Sequence, residues 1–205
     1  FQFFDTDTVS GIGLFRTEFM YMENDGFPSV EHQESVYRQV LNEFAGRRVV
    51  FRTLDVGNDK QLSYLNLHRE ANPALGMRGL RLSLHWPDIF FIQLQALLNA
   101  RDHGVVDGML PMVTNVEEIR EAKKMFALIA GDKLERVRFG VMIEVPAAAM
   151  ALSDIVKEID FVSVGTNDLA QYLFAVDRDN PWVSNLYQPY HPANLRLLRS
   201  IATIC

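Results

Sequence analysis

Short apolar runs recur along the chain, and polar residues or Gly and Pro bound each of them. Val, Ile, Phe and Met dominate these runs. Near-continuous hydrophobicity over a few residues is typical of parallel strands that are buried on both faces. The pattern therefore predicts five strands, at Ile12–Phe15, Val49–Leu54, Met109–Val113, Phe139–Val145 and Phe161–Val164.

Between the apolar runs, hydrophobic residues return with the spacing of an amphipathic helix. Ser29, Pro87 and Asn115 are residue types that cap or open helices, and each stands where such a stretch begins. Alternating strands and helices predict an α/β fold with a parallel sheet. The predicted helices are Val30–Phe44, Asp88–Arg101, Val116–Ile129, Ala147–Lys157 and Ala193–Ile204.

The connection from Leu54 to Met109 is the longest between two predicted strands. It holds one predicted helix and a stretch rich in Gly and Asn over residues 56–79, which is too long for an ordinary strand-to-helix loop. Long loops of this kind are usually functional, and parallel α/β folds bind ligands at the carboxyl ends of their strands. Candidate site residues are therefore expected where the strands end.

Polar residues do follow the predicted strands, and they include two arginines and four carboxylates. Arginines suit a dianionic ligand, and carboxylates suit a hard metal ion. The alternative, which we favour for any single residue, is that these residues cap the helices that follow; it does not account for all five strand ends together. The residues are Arg16, Thr17, Glu18, Arg52, Asp55, Asn115, Glu144, Thr166, Asn167 and Asp168.

Glu144 and Asp168 are 24 residues apart, about one strand–helix repeat, so they are expected on neighbouring strand ends. Two carboxylates with substrate oxygens and water form a common Mg²⁺ site in enzymes that handle phosphates. Near Asp168, Gly165 permits a sharp turn, and the amides of residues 166–168 open a helix whose amino end attracts anions. Arg178 follows that helix, and a solvated charged turn explains it equally well.

The composition argues against several classes of protein. The chain has 205 residues, 48% of them hydrophobic, and a net charge of −6 without a basic run, which argues against a nucleic-acid partner. One cysteine excludes an internal disulfide, and no apolar stretch reaches the length of a membrane span, so we expect no membrane association and a cytoplasmic location. The first residues lack the features of a targeting peptide, and we interpret them as a cut within a longer protein.

Seven motifs, in order and spacing from about Gly11 to the end of the chain, resemble the phosphoenolpyruvate-binding domain of Enzyme I of the bacterial phosphoenolpyruvate:sugar phosphotransferase system. They are GIGLFRTEFMYM, FRTLDVGNDK, NPALGMRGLR, LPMVTNVEE, GVMIEVPAAA, VGTNDLAQYLFAVDRDN and LYQPYHPA. The resemblance implies a (β/α)₈ TIM barrel of which residues 1–205 form one partial domain with strands two to six. The last strands and the phosphohistidine domain would lie elsewhere.

The resemblance also implies roles for individual residues. Lys60 matches the lysine of the family's GGDK loop, which here has Asn58 in place of the second Gly. The family's proton-donor motif G-x-C-G-E is absent, so we assign no catalytic residue, and Cys205 is interpreted as a small packing thiol. The matches are Arg16, Arg52 and Arg178 with phosphate-binding arginines, Arg78, Asn167 and Asp168 with substrate contacts, and Glu144 and Asp168 with ligands of Mg²⁺.

The implied activity is that of a phosphoenolpyruvate-protein phosphotransferase, with this chain alone expected to be inactive. Phosphoenolpyruvate would give its phosphoryl group to a histidine on another domain and then to a small carrier protein, with release of pyruvate. The intact protein would be a homodimer, and the aromatic segment His85–Phe91 is a candidate surface for it. Open alternatives are a non-catalytic phosphoenolpyruvate sensor or docking module, a dikinase- or synthase-type domain, and nitrogen regulation instead of sugar transport.

Overall fold

The computed structural model describes residues 8–23, 25–57, 62, 64–65, 68, 70–131 and 137–205. Five parallel strands form one sheet in which each strand pairs with the next along the chain. The sheet curls into a half-barrel with helices outside it, which confirms the predicted α/β class. The strands are β1 Gly11–Arg16, β2 Arg48–Arg52, β3 Val105–Leu110, β4 Arg138–Ile143 and β5 Phe161–Val164.

Helices connect the strands, and three of them begin at the residues that the sequence indicated. Ser29 accepts a hydrogen bond from the His32 amide, Asn115 forms a capping box with Glu118, and Pro87 is the first residue of its helix. The helices of the described chain are α1 Glu18–Met22, α2 Val30–Glu43, α3 Leu80–His85, α4 Pro87–Ala100, α5 Val116–Ala130, α6 Pro146–Met150, α7 Leu152–Ile155, α8 Thr166–Phe174 and α9 Pro192–Ile204.

Apolar side chains cover both faces of the sheet. One face packs against the helices, where Val49, Phe51, Val141 and Ile143 contribute to the outer core. The other face lines the inside of the half-barrel and carries a small cluster with Met109 at its centre, together with Val50, Met142 and the partly buried Phe161. Burial on both faces explains why these strands have almost continuous apolar sequences.

The third strand does not lie where the sequence predicted it. It spans Val105–Leu110 instead of Met109–Val113, because Asp107 and Gly108 interrupt the apolar pattern although both belong to the strand. Asp107 is buried next to Arg48, whose Nη1 lies 3.0 Å from its Oδ2. After the strand, Met112 has a positive φ of 57°, a conformation that ends the extended backbone.

Two predictions about helices need correction. The single predicted helix Ala147–Lys157 is two short helices, α6 and α7, which meet at Ala151. The short helices α1 and α3 were not predicted, since five or six residues show too little periodicity. In the aromatic segment His85–Phe91, Phe90 is in the core, Trp86 and Phe91 are half-buried, and His85 is exposed; its role as a dimer surface stays a prediction.

No helix in the described part of the chain combines the length and the apolar character needed to cross a lipid bilayer.

Candidate active site

The carboxyl ends of the strands bring charged side chains to one edge of the half-barrel. Arg16 and Arg52 are the last residues of β1 and β2 and lie side by side in the parallel register. Glu144 directly follows β4, and Asp168 lies in the first turn of α8, just after β5. Parallel pairing therefore places residues that are far apart in sequence at the same edge.

Arg52 is the most enclosed cation of this edge, with 5% of its surface exposed. Its Nη2 donates a hydrogen bond of 2.6 Å to Glu18 Oε1, and its Nη1 lies 3.0 Å from Asp55 Oδ2. Its Nη1 also points to the Met142 sulfur at 3.8 Å. Charge-assisted contacts of this length hold the guanidinium in one orientation at the end of β2.

Arg78 extends this arrangement from a different part of the chain. It lies in the long connection after β2, directly before α3, and is 6% exposed. Its Nη2 contacts both oxygens of Asp55 at 3.2 and 3.3 Å, and its Nη1 lies 3.7 Å from Asp168 Oδ1. Arg178 Nη1 reaches the same Asp168 oxygen at 3.3 Å.

Charges therefore alternate along one continuous series of contacts, which we call the arginine–carboxylate chain. It alternates acid and base, so that each internal member contacts an opposite charge on both sides. Buried charges are tolerated when they are paired in this way. The members, in order, are Glu18, Arg52, Asp55, Arg78, Asp168 and Arg178.

Buried polar side chains outside the chain of charges support the strand ends. Gln93 of α4 accepts a hydrogen bond from the Leu54 amide at 2.8 Å and donates one of 3.0 Å to Thr17 Oγ1. Thr17 in turn donates to the Arg52 carbonyl at 2.8 Å. A helix outside the sheet thus helps to fix the backbone directly after Arg52.

Glu144 is buried beside the arginine–carboxylate chain. Its Oε1 accepts a hydrogen bond of 2.7 Å from the Met112 amide. Burial raises the pKa of Glu144 from its ordinary value of 4.5 to about 8; the charges of Asp55 and Asp168 add to the rise, and the Met112 hydrogen bond opposes it. Gly165 leaves it room, because a Cβ there would lie 2.6 Å from Glu144 Oε2.

The donor atoms at this edge fit a hard divalent cation. Asp168 Oδ1 is buried, and within the described residues it has ion-pair contacts but no hydrogen-bond donor. Glu144 and Asp168 supply carboxylate oxygens, which Mg²⁺ prefers, and a cation would favour the charged form of Glu144, which burial and the charges of Asp55 and Asp168 disfavour. The described residues contain no group of three or more such ligands, so the remaining positions would fall to substrate and water.

The structure brings together Arg52, Arg78, Asp168 and Arg178 from the predicted site, with Glu144 beside them. Arg16 ends its strand at the same edge, but its side chain is exposed. Asn167 is also exposed, and its Oδ1 lies 3.3 Å from the Tyr187 hydroxyl. Lys60 lies outside the described residues.

The packing interpretation of Cys205 is wrong. The residue follows the last turn of α9, and its thiol is exposed instead of packed. The interpretation rested on the general tendency of free cysteines to be buried as small apolar residues, which does not fix the position of any one cysteine.

Tyr172 is a site residue that the sequence analysis missed. Its hydroxyl donates to the Ala74 carbonyl and lies 3.4 Å from Arg78 Nη1, so it joins α8 to the long connection. One signal was available: Tyr172 is four residues after Asp168 in a predicted helix, which places both on one face.

The chain is similar to known proteins of one family. Residues 3–205 match the family model described as "PEP-utilising enzyme, PEP-binding domain". Relatives named phosphoenolpyruvate-protein phosphotransferase are 49% identical over 204 residues in Staphylococcus aureus and 46% identical over 201 residues in Priestia megaterium. These alignments cover 94% and 93% of this chain, and the chain spans about a third, 35%, of the length of each relative.

A solved citrate lyase from Burkholderia xenovorans aligns with 86% of this chain and 47% of its own, with 17% identity and a TM-score of 0.49. The family match extends over nearly the whole sequence and over every strand of the half-barrel. The chain therefore belongs to the family of phosphoenolpyruvate-binding domains of phosphoenolpyruvate-utilising enzymes.

Proposed function

We propose that this chain is the phosphoenolpyruvate-binding part of a phosphoenolpyruvate-protein phosphotransferase. The observation that carries the proposal is the arginine–carboxylate chain, which gathers three arginines beside Glu144 and Asp168 at the carboxyl ends of the strands. Identities of 46–49% with proteins of that name support the same activity. The activity, substrates and partners of the whole protein remain part of this proposal.

Phosphoenolpyruvate carries a phosphate and a carboxylate, and cations fit both. In the proposed site Arg16, Arg52 and Arg178 bind the phosphate, and Arg78 binds the substrate from the long connection after β2. Asn167 is a further substrate contact, and so is Lys60, which lies outside the described residues. Phosphoryl transfer depends mostly on positioning and on neutralising the developing charge, which arginines held in fixed orientations provide.

Mg²⁺ is the proposed cofactor, with Glu144 and Asp168 as its protein ligands. When bound, it would supply positive charge next to the phosphate oxygens. The two carboxylates sit where strands β4 and β5 end, so they hold their oxygens on rigid elements. Asp168 also contacts Arg78 and Arg178, which ties the proposed metal ligand to the proposed phosphate ligands.

The proposed reaction moves the phosphoryl group to a histidine on another domain and then to a small carrier protein of a sugar phosphotransferase system. The leaving enolpyruvate takes a proton at carbon to become pyruvate. We propose that the proton donor lies outside these 205 residues, since they contain no G-x-C-G-E motif. A cytoplasmic location and a homodimer of the intact protein belong to the same proposal.

Isotope exchange between labelled pyruvate and phosphoenolpyruvate tests this function in the full-length protein. We expect exchange with Mg²⁺ and a loss of it in EDTA, because the metal and the phosphohistidine are both required. Binding of phosphoenolpyruvate without exchange would instead identify a sensor. Onward transfer of the phosphoryl group from that histidine to an adenine nucleotide, instead of to a carrier protein, would identify a dikinase- or synthase-type enzyme.

Calorimetric titration with Glu144→Gln tests the proposed metal site. Metal and phosphoenolpyruvate should tighten each other's binding in the full-length protein, because the substrate completes the coordination of a cation that two carboxylates hold weakly. Glu144→Gln should abolish this mutual effect while leaving metal-free binding of phosphoenolpyruvate through the arginines largely intact. If the variant binds like the parent with and without Mg²⁺, Glu144 is not a metal ligand.

A further inference from the structure

Asp55 occupies the centre of the arginine–carboxylate chain, and no role in binding or catalysis follows for it from the function proposed above. It is 3% exposed, and its carboxylate contacts two arginines at once. Oδ2 lies 3.0 Å from Arg52 Nη1, and both oxygens lie within 3.3 Å of Arg78 Nη2. One carboxylate thus sets the distance between two guanidinium groups that come from different segments of the chain.

The backbone around Asp55 is firmly held. Beyond the last residue of β2, the Thr53 amide still donates to the Met109 carbonyl at 2.9 Å, which continues the sheet by one step. The Leu54 amide donates to Gln93 of α4 at 2.8 Å. The carboxylate of Asp55 is therefore attached to the rigid body of the half-barrel.

The backbone around Arg78 is irregular by comparison. It follows a single 3₁₀ turn at Pro73–Leu75 and precedes Gly79, which has a φ of 58°. A side chain at Gly79 would not fit, since its Cβ would lie 2.8 Å from Met112. Side-chain contacts with Asp55, Asp168 and Tyr172 therefore do much to determine where the Arg78 guanidinium lies.

We propose that Asp55 is a positioning residue that holds Arg52 and Arg78 at the separation required to bind phosphoenolpyruvate, an inference that rests on the proposed function. Asp55 acts through the two arginines and does not itself contact the substrate. Each guanidinium carries five N–H donors in a planar fork, so contact with Asp55 occupies only one or two of them.

Electrostatics alone predicts the opposite effect of removing Asp55. A carboxylate next to an anion site repels the anion, so its neutralisation should tighten the binding of phosphoenolpyruvate. A positioning role for Asp55 predicts weaker binding. Without their common partner the two arginines are less ordered, and the entropy lost in ordering them then counts against the binding of phosphoenolpyruvate. The sign of the change in affinity therefore distinguishes the two.

The experiment measures the Kd of phosphoenolpyruvate by calorimetry in the full-length protein, in EDTA and with saturating Mg²⁺. Asp55→Asn should weaken binding by about tenfold in both conditions, since one charge-assisted contact to each arginine is lost. Asp107→Asn is the matched control. Asp107 is also a buried carboxylate paired with an arginine, but it lies towards the amino ends of the strands, and its substitution should change the Kd by less than about twofold.

A double-mutant cycle links the effect to an arginine. In an Arg78→Ala background, Asp55→Asn should weaken binding by no more than about threefold, because one of its two partners is already gone. Asp55→Glu serves if the asparagine variant does not fold: it keeps the charge but moves the carboxylate by one methylene, and it should also weaken binding.

Equal or tighter binding by Asp55→Asn, or by Asp55→Glu where that variant is used, would overturn the positioning role while leaving the proposed function intact. An equal loss of affinity in Asp107→Asn would do the same, since it would show that any buried carboxylate of the half-barrel has this effect. If the parent protein itself fails to bind phosphoenolpyruvate, the proposed function fails first, and the inference with it.

Discussion

At the scale of single residues, the site contains a buried carboxyl group whose protonation depends on its surroundings. Glu144 shows this most clearly, because burial and the charges of Asp55 and Asp168 raise its pKa to about 8. The folded protein without metal therefore holds the Glu144 proton more tightly than the unfolded chain does. The contribution of this proton to the free energy of unfolding is fully present below about pH 4.5 and is lost as the pH rises towards 8.

We accordingly predict that the metal-free full-length protein loses about 2–4 kcal/mol of barrel stability between about pH 5 and pH 8 through this one group. Glu144→Gln should remove most of that dependence. Thermal unfolding in EDTA across this range checks it, with the exposed Glu117→Gln as a control that should retain the parent's slope. An unchanged slope in Glu144→Gln would contradict the raised pKa.

A second prediction at the residue scale concerns Tyr172. Tyr172→Phe removes the hydroxyl that contacts the Ala74 carbonyl and Arg78, so residues 73–79 should exchange their amide hydrogens faster. The loss in stability should be about 1 kcal/mol. Hydrogen-exchange mass spectrometry of the full-length protein measures the change, and Tyr187→Phe is the control, because its weaker contacts of 3.3 and 3.5 Å are exposed.

At the scale of elements, the stability of α5 depends on its first turn. Asn115 accepts a hydrogen bond of 3.0 Å from the Glu118 amide, and Glu118 Oε2 accepts in return from the amides of Thr114 and Asn115. This capping box satisfies amides that otherwise have no partner at a helix start. It also fixes the backbone directly after Met112, which donates to Glu144.

Asn115→Ala should therefore destabilise the barrel by about 1 kcal/mol. Denaturant unfolding measures the change, with Glu121→Ala, an exposed substitution in the middle of α5, as a control that should have almost no effect. A stability equal to the parent's in Asn115→Ala would show that packing alone holds the start of this helix.

The close approach of the carboxyl ends of β4 and β5 also depends on a single residue. Gly165 faces Glu144 so closely that a Cβ would lie 2.6 Å from both Glu144 Cβ and Oε2. Gly165→Ala should cost about 1–3 kcal/mol and displace the Glu144 carboxylate. Reduced stability together with a weaker Mg²⁺ dependence of phosphoenolpyruvate binding would bear this out. Gly26→Ala is the control, because a Cβ there meets no atom within 4 Å. Gly131→Ala is unsuitable, since its positive φ would add backbone strain.

At the scale of the whole molecule, the half-barrel has two open edges. Within the described residues β1 and β5 each pair on one side only. Large apolar side chains are also exposed: Phe19, shortly after β1, is 54% exposed, and Trp182, between α8 and α9, is 90% exposed. A groove of about 860 Å³ runs along β1 and is lined by residues that include Gly13, Phe15 and Phe19.

Open edges with apolar neighbours recruit other strands. The 205-residue chain by itself should therefore associate or unfold over a broad temperature range. Sedimentation equilibrium and thermal unfolding at several concentrations measure this behaviour, and the full-length protein provides the comparison. A sharp transition that does not depend on concentration, in a monomer, would contradict the expectation.

The sequence alone determined the features that depend on local pattern. Burial on both faces requires continuous apolar runs, so the five strands and their parallel order followed from spacing. Helix starts at Ser29, Pro87 and Asn115 followed from capping chemistry, which involves only neighbouring residues. The positions of Arg52 and Glu144 at strand ends followed as well, because a strand end is a local feature.

The tertiary structure alone decided which of these residues meet. Asp55 contacts Arg78 across 23 positions, and Arg78 approaches Asp168 across 90, distances over which no local pattern carries information. In the structure β3 begins four residues earlier than the sequence predicted. The strand can include the buried carboxylate of Asp107 because Arg48 on the adjacent strand forms an ion pair with it. The tertiary structure also decided how far water reaches each side chain. It leaves Arg16 and Cys205 exposed and buries Glu144, whose pKa rises as a result. Exclusion of water is a property of the assembled half-barrel and not of any one segment.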